Sequence, residues 1–194
     1  MIDVKNKLVN SPYGDEIEEI VSYCVSLTSA KLLAQLQTFD ASITGVYFQH
    51  GHILEVVSEL EKLSKAPETK ATRYPLVALL RDFPELNGAL PGIESQDTLN
   101  FIVATRTNPN WNSAKRKTNT FDPILKPIVN DLLYQFELSG KFMSQGADQQ
   151  NYTAVDRYFW GRESIYGSKA NIFNDWIDCI EIKNLTLKIY DYGR

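Results

Sequence analysis

The chain is poor in the residues from which most active sites are built: 194 residues contain 2 histidines and 2 cysteines. Two thiols cannot make a disulfide framework. Cys24 and Cys179 both stand in apolar-rich segments, which predicts buried free thiols in a soluble protein made in a reducing compartment. No run approaches the roughly 20 apolar residues of a membrane span. Met1 to Asn10 lacks the basic start and unbroken apolar stretch of a secretory signal. Neither G-x-G-x-x-G nor a Walker lysine pattern occurs, and there is no serine nucleophile elbow. Positive charge is not in surplus either: 20 Lys and Arg against 24 Asp and Glu leave a net charge of -4. That balance argues against the broad basic face of a dedicated nucleic-acid binder.

Apolar residues are not in short supply. At 43% of the chain they can fill one continuous core at this length, so a single domain over residues 1–194 is expected. Aromatics crowd the stretch from Asn151 to Tyr190, with Tyr152, Tyr158, Phe159, Trp160, Tyr166, Phe173, Trp176 and Tyr190 set among Asn171, Asn174, Asp175 and Asp178. Large rigid side chains between polar anchors suit a folded end that builds a surface.

Periodicity predicts an α+β fold. Asp15 to Gln37 has helical apolar spacing, with Thr28 and Ser29 as a candidate break, and Ile53 to Leu63 carries a second stripe. Strands are expected near Ile43–Phe48, Leu76–Arg81, Leu99–Thr105 and Cys179–Ile189. In the last of these the apolar phase changes across Lys183-Asn184, so a bulge there would keep both halves on the core. Phe83 to Asp97 reads as a turn-rich excursion and Asn108 to Thr120 as a polar loop. Asp122 can cap a helix with Pro123 at its first position, running to about Leu138, with Ile124, Ile128, Leu132 and Phe136 facing the core. Gly140 is its expected stop, and Met143 to Asn151 reads as a polar, mobile stretch. The simplest assembly is a mixed, mainly antiparallel sheet of about four strands with helices packed on it.

Chemistry has few candidates. His50, His52 and Glu55 could hold a metal, but the two histidines straddle Gly51 and lack the i, i+4 spacing of the helical zinc pattern. The competing role is a glycine turn with a histidine at the helix start, and no metal or cofactor is expected. The acidic pairs Asp175/Asp178 and Asp82/Glu85 could do acid–base work, yet such pairs more commonly serve turns and caps. Arg106, Lys115, Arg116 and Lys117 could meet phosphates with Trp111 stacking on a base; a solvated loop tip is the simpler reading.

Four strings resemble one family. They are Gly45-Val46-Tyr47-Phe48-Gln49-His50-Gly51-His52, Arg73-Tyr74-Pro75-Leu76-Val77-Ala78-Leu79-Leu80-Arg81-Asp82-Phe83, Phe121-Asp122-Pro123-Ile124-Leu125-Lys126-Pro127-Ile128 and Asn171-Ile172-Phe173-Asn174-Asp175-Trp176-Ile177-Asp178. Together they look like small proteins of tailed phages and prophages of Bacteroidetes-type bacteria. The order of elements is similar to that of tail-terminator and head–tail neck proteins, small α+β subunits that form rings. That resemblance implies a virion protein, made in the host bacterial cytoplasm, with no catalytic residues to transfer. Its partners would be itself, in a ring of about six or twelve copies, the adjacent neck or tail-tube proteins, and DNA in passing, with no membrane. Interface candidates are then Trp111, Tyr158, Phe159, Trp160 and Trp176, since aromatics favour interface centres. Arg106, Lys115, Arg116 and Lys117 become DNA-channel candidates, and charge reversal at Arg116 and Lys117 is expected to leave the fold intact. The alternatives are a nucleic-acid-binding accessory protein using the basic loop 106–117, and a phage-encoded enzyme whose site converges only in three dimensions.

Overall fold

The computed structural model describes residues 17–65, 73–80, 85–87, 93–139, 142–143, 152–160 and 175–190. Helix α1, Ile17–Gln37, buries Ile20, Val21, Cys24, Val25, Leu32 and Leu36 along one stripe. Glu18 and Glu19 in its first turn complement the helix dipole. The helix does not break at Thr28-Ser29. Thr28 is buried within it, and the Ser29 hydroxyl accepts from the Val46 amide at 2.8 Å, tying the helix to the chain entering the sheet.

Strand β1 spans Tyr47–Gly51, later than the expected Ile43–Phe48. The intervening residues are used for a turn: Asp40 accepts from the Ser42 amide and hydroxyl, and its carbonyl accepts from the Ile43 amide. Helix α2, Ile53–Lys65, then crosses to β2, Leu76–Leu80, which pairs with β1 in parallel. The remaining pairings are antiparallel. They join β3 (Glu85–Asn87), β4 (Ile93–Arg106), β5 (Phe142–Met143), β6 (Thr153–Arg157) and β7 (Ile177–Tyr190) into a 7-stranded sheet of order β1-β2-β4-β7-β5, with β3 on β4 and β6 on β7. The α+β class and mainly antiparallel sheet are as expected; the extra strands are β3, β5 and β6, the longest of them 5 residues. Part of the expected excursion at Phe83–Asp97 is therefore ladder, with Glu85–Asn87 opposite Ser95–Asp97. Met143 likewise belongs to β5, while 144–151 and Gly140 lie outside the described residues.

Both faces of the sheet are covered. Val77, Leu79, Phe101, Val103, Ile180 and Ile182 pack under α1 and the later helix. The alternate residues Leu76, Ala78, Ile102, Ala104, Ile177 and Cys179 pack with Val56 and Val57 of α2. The phase change in β7 is resolved by a bulge. Phe101 pairs with Ile182 but Leu99 with Leu185, Asn184 is left-handed (φ 58), and its amide donates to the Asn100 side chain at 3.1 Å. Ile180, Ile182 and Leu185 thereby enter the same core.

Residues Ser113 to Leu138 form one continuous rod: α3 (Ser113–Arg116), a π-helical segment (Lys117–Leu125) and α4 (Lys126–Leu138). Two sequence expectations are corrected here. The stretch read as a polar loop to Thr120 is helical from Ser113. The cap is Asn112, whose side chain accepts from the Lys115 amide at 2.9 Å, and not Asp122, which sits inside the π segment and pairs with Lys126 at 2.6 Å. A proline ring inside an α-helix clashes with the carbonyl four residues back. The wider π turn around Pro123 relieves that clash, and its i to i+5 bond is seen from the Lys126 amide to the Phe121 carbonyl. Ile124, Ile128, Leu132 and Phe136 all face the core. Leu132→Ala is expected to cost about 2–5 kcal/mol in denaturant unfolding; a loss within about 0.5 kcal/mol would place Leu132 at the surface.

Candidate functional site

Two of the charged residues that the sequence offers for chemistry, Arg116 and Asp178, meet in one buried junction. Arg116 leaves α3 pointing inward and is 2% exposed; Asp178, the second residue of β7, is 0% exposed. Arg116 Nη1 donates to Asp178 Oδ1 at 2.7 Å and to the Thr107 hydroxyl at 3.1 Å. Its Nε donates to the Trp111 carbonyl and its Nη2 to the Asn108 carbonyl, both at 3.0 Å. Asp178 also accepts from the Thr120 hydroxyl at 3.3 Å and the Phe159 amide at 3.2 Å. A buried charge is tolerated only when paired and hydrogen-bonded, and this pair meets that condition. The junction joins the end of β4, the start of the helical rod, the start of β7 and the bend after β6.

Above it lies an aromatic surface. Phe159 has a left-handed backbone (φ 53), unusual for a bulky residue. Its amide is held by Asp178, and the Arg116 guanidinium lies 3.6 Å from its ring centroid. The Phe159 and Trp176 rings meet edge-on at 5.0 Å, and Tyr158 meets buried Phe121 edge-on at 5.4 Å. Tyr158 remains 39% exposed and Trp176 38% exposed. The structure thus brings together three of the interface candidates, Tyr158, Phe159 and Trp176. Trp160 separates from them: it is core, and its indole donates to Glu181 at 3.0 Å.

A neighbouring cleft of about 370 Å³ opens between the turn after α1, the end of β4 and the rod. Tyr74, Arg106, Trp111, Asn119 and Thr120 line it with Phe39 and Ile43. Arg73, buried, pairs with Asp175 Oδ2 at 2.5 Å, and the Arg73 and Arg106 guanidiniums each lie 5.5 Å from the Tyr74 ring centroid. Burial and then the Asp175 charge push the Tyr74 phenol well up, so it stays protonated. Of the DNA-channel candidates, Arg106, Lys115 and Lys117 are exposed, but Arg116 is not. Its correction follows from the partners above: a guanidinium making four hydrogen bonds inside the fold has no surface to offer a phosphate.

Asp82 lies outside the described residues; the histidines, the thiols and Asp175 have local roles. Gly51 (φ +136) makes the turn into α2. The His52 amide donates to Glu55 Oε2 at 2.9 Å while His52 Nδ1 accepts from the Leu54 amide at 3.3 Å, a reciprocal cap. His50 stacks on Phe48 and its Nδ1 lies 4.0 Å from Glu18. Cys24 is pushed up to about 12 and Cys179 well above the ordinary thiol value, each first by burial, so neither is a thiolate nucleophile. Asp175 and Asp178 each pair with a different arginine rather than with each other.

Glu181, not singled out by sequence, ties β6 to β7. It accepts from Arg157 Nε at 3.0 Å and lies 3.1 Å from Lys183 Nζ. Burial alone would raise its carboxyl; the hydrogen bonds and charges of Arg157 and Lys183 together hold it below the ordinary value. A depressed folded value contributes stability above the unfolded value, about 4.3, and loses it as pH falls through the folded value. Urea midpoints measured from neutral pH into acid are therefore expected to fall more steeply for the wild type than for Glu181→Gln. Equal acid slopes would assign the acid sensitivity to other groups. The available signal for Asp178 and Glu181 was a carboxylate inside an otherwise apolar strand, Ile177-Asp178-Cys179-Ile180-Glu181-Ile182.

Among the described residues no helix is long and apolar enough to cross a membrane. No protein-family model matches the chain, and no curated protein sequence matches it significantly.

Proposed function

We propose that the chain is a non-catalytic structural subunit of a tailed-phage virion, forming a closed ring at the head–tail neck or the tail terminus. The observation that carries this reading is the aromatic surface in which Tyr158 and Trp176 are exposed and the half-buried Phe159 beside them is held by the Arg116–Asp178 junction. Rigid aromatics with little rotamer freedom to lose are the side chains that dominate protein interfaces. The resemblance of the four strings supplies the setting. The fate of the charged groups supports the non-catalytic part, because Arg73, Arg116, Asp175 and Asp178 are engaged in pairing and both thiols are held protonated. Trp176→Ala with Tyr158→Ala is expected to abolish ring assembly in native mass measurements while leaving a folded monomer. Undiminished rings would move the interface elsewhere.

The cleft supports a second reading. It places Arg106 beside Tyr74 and Trp111, the pairing of cation and aromatic that holds single-stranded nucleic acid. Trp111→Ala and Arg106→Ala would then weaken oligonucleotide binding, with affinity falling as salt rises. Binding unaffected by both substitutions would remove this reading.

A further inference from the structure

The outermost strands of the sheet are each paired on one side only, among the described residues: β1 with β2 at one end, and β5 and β6, side by side along β7, at the other. At β1 the direction of the main chain is settled. The Tyr47 amide donates to the Pro75 carbonyl at 2.8 Å, so Tyr47, Gln49 and Gly51 turn their N–H and C=O toward β2. The groups of Phe48 and His50 therefore point outward. Sheet edges are ordinarily blunted by charge, proline or a covering element, yet Tyr47-Phe48-Gln49-His50-Gly51 contains no Lys, Arg, Asp, Glu or Pro. A second observation marks the same edge. Gln49 Oε1 is buried and accepts no hydrogen bond from the described residues, and buried acceptors are rarely left so. It lines a groove of about 450 Å³ between β1 and α2, beside Leu54, which is 66% exposed.

The opposite edge matches it in length. β6, like β1, has 5 residues, with Thr153, Ala154 and Asp156 exposed. It leads directly into exposed Tyr158.

We propose that β1 of one copy pairs with β6 of the next, so that the sheet continues from subunit to subunit. The proposal rests on the ring reading and names its contact. Two different edges meeting is a heterologous interface, the kind that closes into a ring when the rotation allows. Main-chain bonds from Phe48 and His50 supply affinity in the manner of strand addition. The neighbour's side chains fill the groove at Leu54.

Gln49 and Val155 are the central residues of the two strands, so they come opposite one another whether the strands run parallel or antiparallel. A full-length Gln49→Cys, Val155→Cys double variant is treated with a short bis-maleimide at assembling concentration, beside the two single variants and the wild type. The native thiols are buried and protonated, which keeps the wild-type background low. Expected is a ladder of cross-linked multimers in the double variant alone. Native mass measurement runs in parallel. Rings without a ladder overturn the β1–β6 contact and leave the ring reading standing. Monomers throughout overturn both. Dimers of the Gln49→Cys single variant point to β1 meeting β1 and also overturn it. Capture of an unrelated extended peptide at β1, with no ladder, does the same.

His50→Pro is the independent test, because it removes an outward N–H and leaves the β2 ladder intact. It is expected to keep the monomer folded by circular dichroism and to weaken assembly at least about tenfold. Wild-type assembly by folded His50→Pro overturns the proposal, and should that variant fail to fold, the cross-linking result decides.

Discussion

Arg116→Met is expected to destabilise the fold by about 3–5 kcal/mol, because it strands the Asp178 carboxylate in a site with no access to water. For a chain of this size that lowers Tm by roughly 6–20 °C. The loss also reaches the surface. Arg116 underlies the Phe159 ring, and Asp178 holds the Phe159 amide, so the aromatic mount should loosen with it. Thermal unfolding and Trp fluorescence report the two effects separately. Charge reversal at Arg116, which a loop residue would tolerate, should be at least as damaging, whereas the same change at exposed Lys117 should stay within about 0.5 kcal/mol. If Arg116→Met unfolds like the wild type, the pair does not hold the junction together.

Phe121→Ala should cost about 3–5 kcal/mol. The ring is 1% exposed at the middle of the π-helical segment and meets Tyr158 edge-on. Its removal leaves a cavity between rod and sheet and takes away the contact under Tyr158. Substitution by Leu should recover much of the stability, since it restores most of the volume, but not the ring contact. Assembly that follows stability, with Leu and Phe equivalent, would mean that Tyr158 needs no aromatic support. Assembly lost in both variants would tie the interface to that ring pair.

Much of the fold was legible because it depends on periodicity. The α1 and α2 stripes, the strands at Leu76 and Leu99, and the bulge at Lys183-Asn184 all follow from which residues must reach the core. In the rod two local signals compete. Asp122-Pro123 has the form of a helix start, but Asn112 already caps the helix ten residues earlier in a stretch rich in Asn and Thr, and the π turn lets the chain pass the proline. The short strands β3, β5 and β6 lack any pattern long enough to read; tertiary pairing with the long strands forms them. The site was legible only in part. Aromatic crowding pointed to Tyr158, Phe159 and Trp176, but nothing local distinguishes them from Trp160, whose indole finds a buried acceptor in Glu181. Arg116 looked like its neighbours Lys115 and Lys117 because its partner Asp178 lies 62 residues away.

Mass photometry with electron microscopy of the full chain, across rising concentration, decides whether the copies close into a ring. Expected are discrete particles of one cyclic order, each copy burying on the order of 800 Å² against its neighbour, and loss of those particles in the Tyr158→Ala, Trp176→Ala variant. A monomer or a two-fold dimer at every concentration overturns the ring.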